Sequence, residues 1–147
     1  SGHTGIAGGQ EQDLKFEHKK KKLNQIIEMQ RKKTGKLFNV CLQSVAIVAN
    51  KNMKHRSFFG NLGEDIGLLF QLADDFLDEK GSKKLIGKPI KKDKKKGKST
   101  LINLMGYKNA LHFAHKLKKK ILLKLRKHGK NNKDLLDTIE FILKRKF

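Results

Sequence analysis

Three carboxylates stand inside an otherwise apolar run, Phe70-Gln71-Leu72-Ala73-Asp74-Asp75-Phe76-Leu77-Asp78. Asp74 and Asp78 are one helical turn apart and share a face, with Asp75 beside them. Like charges at that spacing repel unless a cation neutralises them. An all-oxygen cluster suits a hard ion such as Mg²⁺, which keeps several waters and bridges to phosphate oxygens. The same cluster also reads as a solvated acidic helix end. The residues after Asp78 favour the metal. A lysine-rich segment runs from Glu79 to Lys98, with ten lysines and the single acid Asp93 between residues 80 and 98. Carboxylates for a metal and ammonium groups for phosphate are therefore adjacent, as needed to hold a diphosphate and stabilise its departure.

The element that must carry these carboxylates is legible. Phe58, Phe59, Leu62, Ile66, Leu69, Phe70, Ala73, Phe76 and Leu77 recur at three- and four-residue spacing, which predicts a helix over about 54–79 with a core-facing stripe. The chain's only proline and three glycines, Gly81, Gly87 and Gly97, predict a loop over 80–99. Upstream, residues 1–14 read as the end of a helix in which Gly5, Gly8 and Gly9 admit close backbone approach. A helix starting near Leu23 runs into Lys33-Thr34-Gly35, where the glycine predicts an interruption or kink. Leu37, Val40, Cys41, Ser44, Val45, Ile47 and Val48 continue it. A later helix over about 107–128 has Leu111, Ala114, Leu117, Ile121, Leu122 and Leu125 as its expected buried face, and Leu135, Leu136, Ile139, Ile142 and Leu143 mark a closing helix. No strand pattern competes, so the fold class is all-α, a helical bundle.

Composition narrows the function classes. The chain has 147 residues and a formal net charge of +21. That charge invites a nucleic-acid reading, yet only four of the 35 basic residues are arginine, whose fork suits base and phosphate readout. A general lysine bias explains the charge without a polyanionic partner. The stretch Lys116–Lys130 contains no acid and is either a solvated face or a contact for anionic lipid. The one cysteine, Cys41, excludes an intrachain disulfide, points to a reducing, cytoplasmic setting, and is expected to be buried as a small hydrophobe. No run approaches the roughly 18 apolar residues of a membrane span. No signal-peptide pattern is present, and the start at Ser1-Gly2-His3, without Met, is that of a processed or partial product. The six histidines lack metal-ligand spacing with a cysteine or carboxylate pair.

Taken in order, the motifs resemble the trans-isoprenyl diphosphate synthases, the farnesyl and geranylgeranyl diphosphate synthase family. Gly8-Gly9-Gln10 with Asp13-Leu14 is similar to its GGQ–DL segment, and Lys33-Thr34-Gly35-Lys36-Leu37-Phe38 to its KTGxLF segment. Gly67, Phe70-Gln71 and Asp74-Asp75-Phe76-Leu77-Asp78 are similar to the second aspartate-rich motif. Gly87-Lys88, Asp93 and Gly97-Lys98-Ser99-Thr100 are similar to the GK–D–GKST loop. The resemblance implies that residues 1–147 are the C-terminal portion of a polyprenyl synthase domain, the C-terminal half of the isoprenoid synthase fold. It implies a Mg²⁺-dependent, head-to-tail condensation of isopentenyl diphosphate with an allylic diphosphate. In that scheme Asp74 binds Mg²⁺ directly, and Asp75 and Asp78 bind it directly or through water. Lys33 and Lys88 bind the allylic diphosphate with Lys98 near it, Thr34 and Gln71 line the reacting centre, and Asp93 helps hold the metal-bearing loop closed.

The family carries two aspartate-rich motifs and this chain one, so the resemblance implies a segment inactive alone and a homodimer when full length. Two other readings remain from the sequence. One is a non-catalytic synthase-like subunit, against which the intact carboxylates and lysines argue. The other is a basic helical protein for nucleic acid or membrane, which explains the charge and not the ordered motifs; no nucleic-acid partner is expected.

Overall fold

A computed structural model describes residues 2–85, 100–128 and 132–144, with residues 80–85 and Leu143 described by their backbone alone. Seven α-helices are present among them: α1 (Ile6–Phe16), α2 (Leu23–Gln30), α3 (Lys36–Val48), α4 (Met53–Leu85), α5 (Leu101–Met105), α6 (Tyr107–Arg126) and α7 (Lys133–Lys144). No strand occurs among the described residues, as the helical periodicities require. No helix among them is long and apolar enough to cross a membrane.

The central strut is α4, 33 residues long and thus about 50 Å from end to end. Its expected stripe is the core: Leu62, Ile66, Leu69, Ala73 and Phe76 are buried, and Leu68 and Leu72 are buried as well. Phe58, Phe59 and Phe70 pack at the margin. Ile26 and Met29 from α2, Leu101 and Ile102 from α5, the Ala110–Ala114–Leu117–Ile121–Leu125 stripe of α6, and Ile139 and Ile142 from α7 close the core around it.

The reversal from α3 to α4 is tight and locally determined. Asn50 takes φ 49°, and its N–H donates to the Ile47 carbonyl while the Lys51 N–H donates to the Ala46 carbonyl. That pair of bonds is the Schellman arrangement, which Asn tolerates in the left-handed region. The Asn52 Oδ1 then accepts from the His55 N–H and starts α4. Thr100 caps α5 in the same way, its Oγ1 accepting from the Asn103 N–H.

Several sequence expectations are corrected. The predicted loop over 80–99 begins later, because α4 continues to Leu85. Glu79, Lys80, Lys83 and Lys84 are good helix formers, and one glycine in their midst does not stop a helix already propagating. The rest of that predicted loop, with Lys88, Asp93 and Lys98, lies outside the described residues. The interruption expected at Lys33-Thr34-Gly35 takes the form of a π turn, with α2 ending at Gln30, the turn at Arg31–Gly35 and α3 beginning at Lys36. Helix α5 leaves no sequence signal, being too short for a periodicity to register. Leu111 is 36% exposed rather than buried; its position on α6 falls about 100° from the Ala110 stripe. Cys41 is exposed rather than buried, since α3 turns its Phe38, Leu42 and Ala46 side inward and its Cys41 side out.

That outward side of α3 is apolar. Leu37, Val40, Val45, Ile47 and Val48 are 48–87% exposed. Contiguous apolar surface of this kind drives association. The isolated chain is therefore expected to sediment above monomer mass at micromolar concentrations, and the double substitution Val40→Lys/Val48→Lys to return it to monomer. A clean monomer for the unmodified chain in analytical ultracentrifugation would contradict this.

A buried ion network fixes α6 against α4. Asp65 is 2% exposed and is met by the Arg31 guanidinium at 2.7 Å, Lys124 at 2.8 Å and Lys120 at 3.0 Å. Burial alone would raise the Asp65 carboxyl, but hydrogen bonds from Lys124, Arg31 and Lys120 outweigh it and hold it below its usual range. Its contribution is thus present above the ordinary carboxylate range and lost in strong acid. Asp65→Ala leaves three cations facing one another and should cost about 2–4 kcal/mol in urea unfolding at neutral pH. A change below about 0.5 kcal/mol would show the network to be no more than surface pairing.

Candidate active site

The site is organised by the π turn. A π turn carries one more residue than an α turn and commonly marks functional positions. Here it is held by close packing from two sides. Gly35 is buried. A Cβ on Gly67 of α4 would lie 2.7 Å from the Gly35 Cα, and a Cβ on Gly9 of α1 would run into the backbone of Lys33. Both positions require glycine for the approach of another backbone. Of the Gly8-Gly9 pair, expected from the sequence to admit close backbone approach, Gly9 meets the π turn and Gly8 meets the backbone of His3.

Ionic contacts clamp both ends of the turn to consecutive residues of α4. Arg31 reaches Asp65, and Lys36 reaches Glu64 at 2.5 Å. Glu64 also accepts from the Asn39 Nδ2 at 2.9 Å. With its ends fixed in this way, the turn presents Lys33 and Thr34 along α4, toward the predicted carboxylates.

Four of the residues singled out from the sequence come together there. The Thr34 hydroxyl donates to the Gln71 Oε1 at 3.3 Å, and the Gln71 Nε2 donates to the Asp75 Oδ1 at 3.1 Å. Lys33 Nζ donates to the Asp13 Oδ2 at 2.5 Å. In the sequence Asp13 stands out only as part of a motif. Its proximity to Lys33, twenty residues away in the chain, needs α1 to fold back on the π turn, and the paired glycines are the available sign of that. Sequence reasoning does not find Arg31, Glu64 and Asp65 as positioning groups. The acidic Glu64-Asp65 pair within an apolar stripe is the signal that could have found them.

Asp75 is electrostatically unlike Asp65. Its Oδ2 is buried and has no hydrogen-bond partner among the described residues. Burial pushes its carboxyl up to about 6, the hydrogen bond from Gln71 opposes this, and the nearby Asp78, Asp74 and Asp13 add to the rise. Asp74 is half-buried and Asp78 exposed. Among the described residues no three acidic, histidine or cysteine side chains already converge as a ready cage for an ion. The arrangement instead sets the carboxylates of Asp74, Asp75 and Asp78 along α4, with Gln71 on Asp75 and the Lys33 ammonium on Asp13. Lys88 and Lys98 lie outside the described residues.

Because the Asp75 carboxyl titrates near 6 in the fold against an ordinary 3.8, the folded chain keeps this proton longer than the unfolded one. Stability should therefore fall as pH rises from about 4 to about 6 and stay lower above that. Asp75→Asn, which keeps an acceptor for Gln71, should flatten that window and stabilise the chain by about 1–3 kcal/mol at pH 7.5. Urea titrations across pH check it; a variant no more stable than the parent at pH 7.5 would contradict the assignment of the charge.

Comparison with known proteins identifies the family and the fold. The family model for Polyprenyl synthetase matches residues 3–140. A farnesyl diphosphate synthase of Micrococcus luteus is 37% identical over 106 residues, 72% of this chain and 36% of its own length. A short chain isoprenyl diphosphate synthase of Methanocaldococcus jannaschii is 36% identical over 88% of this chain and 38% of its own. Among solved structures, an FPP/GFPP synthase from Zymomonas mobilis superposes with a TM-score of 0.80 at 31% identity, over 97% of this chain and 46% of that one. The geranylgeranyl pyrophosphate synthetase of Pyrococcus horikoshii gives 0.79 at 27% identity, over 96% and 55%. The chain spans well under half the length of the curated relatives it matches. With the family model matching nearly its whole length and the helices superposing on solved members, the chain belongs to the polyprenyl synthetase family.

Proposed function

We propose that this chain is the C-terminal portion of a polyprenyl synthase domain and supplies the diphosphate-leaving side of a prenyltransferase. The assembled enzyme would join isopentenyl diphosphate head to tail with an allylic diphosphate, as a homodimer in the cytoplasm. The observation that carries the reading is the line Thr34–Gln71–Asp75 beside Lys33, with a buried Asp75 oxygen that has no hydrogen-bond partner among the described residues.

Each residue has a defined task in this reading. Lys33 turns its ammonium from Asp13 toward the allylic diphosphate and is joined by Lys88 and Lys98. Asp74, Asp75 and Asp78 hold Mg²⁺, directly or through water. The donor set fits that ion: it is all oxygen, anionic, and leaves coordination positions for water and phosphate, as Mg²⁺ demands. When bound, Mg²⁺ would set positive charge against the diphosphate as it departs. Gln71 keeps the Asp75 carboxylate aimed by donating to Oδ1 and leaves Oδ2 available. Thr34 holds Gln71 in that orientation and lines the place where the allylic carbon reacts. The intact acids and lysines support this over a non-catalytic subunit.

Four outcomes are expected. The isolated chain, incubated with Mg²⁺ and both diphosphates, yields no elongated prenyl product. By calorimetry it binds inorganic diphosphate only when Mg²⁺ is present, and Lys33→Ala weakens this at least about fivefold. Joined to the N-terminal portion of a full-length relative it condenses the two substrates. In that enzyme Asp74→Ala lowers turnover about a hundredfold or more, the scale of losing a cation at the leaving group; the exposed Lys54→Ala changes little. Equal turnover for Asp74→Ala and the parent would remove the metal assignment.

A further inference from the structure

The side of α6 turned away from Asp65 carries a second constellation that the proposed chemistry does not use. Residues 111–128 contain six lysines, one arginine and no acid. At 100° per residue these divide between two flanks. Lys120 and Lys124 turn to Asp65. On the other flank, His115, Lys118, Lys119, Leu122, Leu123 and Arg126 line an open groove of about 300 Å³ against Glu140 of α7. Glu140 is the one acid in it, and it is engaged by Lys118 at 2.6 Å and Lys144 at 3.6 Å. The hydrogen bond from Lys118 heads the causes that hold its carboxyl below the usual range. Lys119 and Arg126 make no ion pair among the described residues and are exposed. Leu123 stands among these cations 49% exposed, and Leu111, one turn before His115, is 36% exposed.

We infer that this flank of α6 is a docking surface for an anionic phospholipid bilayer. Exposed cations and exposed leucines on one helix flank match a headgroup layer, which offers phosphate outside and hydrocarbon just beneath. Each lysine or arginine held at an anionic leaflet adds attraction that falls away within a Debye length. Lysine point charges suffice for this. A nucleic acid, by contrast, is gripped through arginine forks and has no hydrocarbon layer to receive Leu123 and Leu111; Arg126 is the groove's single arginine. The opposite stripe of α6 is spent on the core, so contact is peripheral, with the helix lying along the surface. The surface is independent of Lys33, Thr34 and Asp75, which lie at the π turn and along α4.

The test separates this surface from the chain's general charge. The purified chain is sedimented with phosphatidylcholine vesicles, with and without phosphatidylglycerol, at about 0.15 M salt. Binding is expected only to the anionic vesicles. Lys119→Glu/Arg126→Glu should lower the partition coefficient at least about tenfold. Lys51→Glu/Lys54→Glu, the same charge change at the α3–α4 reversal, should lower it no more than about threefold. Leu123→Asn, which leaves charge unchanged, should lower it about threefold to fivefold. Circular dichroism confirms helical content in each variant. Equal losses from the two charge-reversed pairs would assign binding to net charge and overturn the proposal. Unchanged binding in Leu123→Asn, with single-stranded RNA competing the vesicles away, would mark a polyanion site and overturn it equally. A loss on Val48→Ser as large as on Lys119→Glu/Arg126→Glu would move the contact to α3.

Discussion

The contact between the π turn and α4 is the constraint on which the rest of the molecule depends. Gly67 brings the backbone of α4 so close to Gly35 that a methyl group added at Gly67 has no room, and Gly9 does the same from α1 against Lys33. A turn with an extra residue is intrinsically poorer than an α turn, and it persists because surrounding packing leaves no alternative. Arg31 and Lys36, tied to Asp65 and Glu64, keep it from rotating. The backbone approach sets the distance and the ion pairs set the direction. Together they determine where Lys33 and Thr34 point.

Helix α4 therefore carries two acidic groups with opposite environments. Near Gly63, Glu64 and Asp65 are met by Arg31, Lys36, Lys120 and Lys124, and Asp65 is held strongly ionised. About ten residues further on, some 15 Å along the axis, Asp75 is half-buried, with one carboxylate oxygen enclosed and like charges around it, and is pushed toward its neutral form. Both are short acids on the same rigid rod. One is given partners by other segments and serves assembly. The other is given Gln71 and further acids, an arrangement that folding alone does not favour and that a cation, if bound there as proposed, would relieve.

The long apolar periods are plain in the sequence, and so α4, α6 and α7 are legible: a stripe at three and four residues has few other solutions. The Asp74-Asp75-Asp78 cluster and its proximity to the Lys33-Thr34 segment are legible through the order of motifs. The π turn is not. Thr34-Gly35 reads locally as a weakness in a helix, and what converts the weakness into an extra residue is the backbone of Gly67, far away in the chain. The same limit explains Cys41. A helix such as α3, apolar on most sides, does not announce which side is covered. The Asp13–Lys33 pair and the Asp65 network depend on neighbours 20 to 59 residues apart, and charge spacing along a single helix carries no record of them. The extension of α4 to Leu85 reflects propagation from a stable helix into residues that would not start one.

The π turn has a consequence for how this segment tolerates change in length. Removing one residue between Arg31 and Gly35 would let the helix close into ordinary α geometry without any gap in its hydrogen bonding. Four residues in α geometry turn the chain about as far as five in the wider π turn, so α3 would keep its Phe38, Leu42 and Ala46 side toward α4. The register between α3 and α4 would survive, and what would be lost is the bulge on which Lys33 and Thr34 stand. The extra residue thus belongs to the site rather than to the packing of the helices around it, and the number of residues between Gln30 and Lys36 is as much a part of the site as their identities.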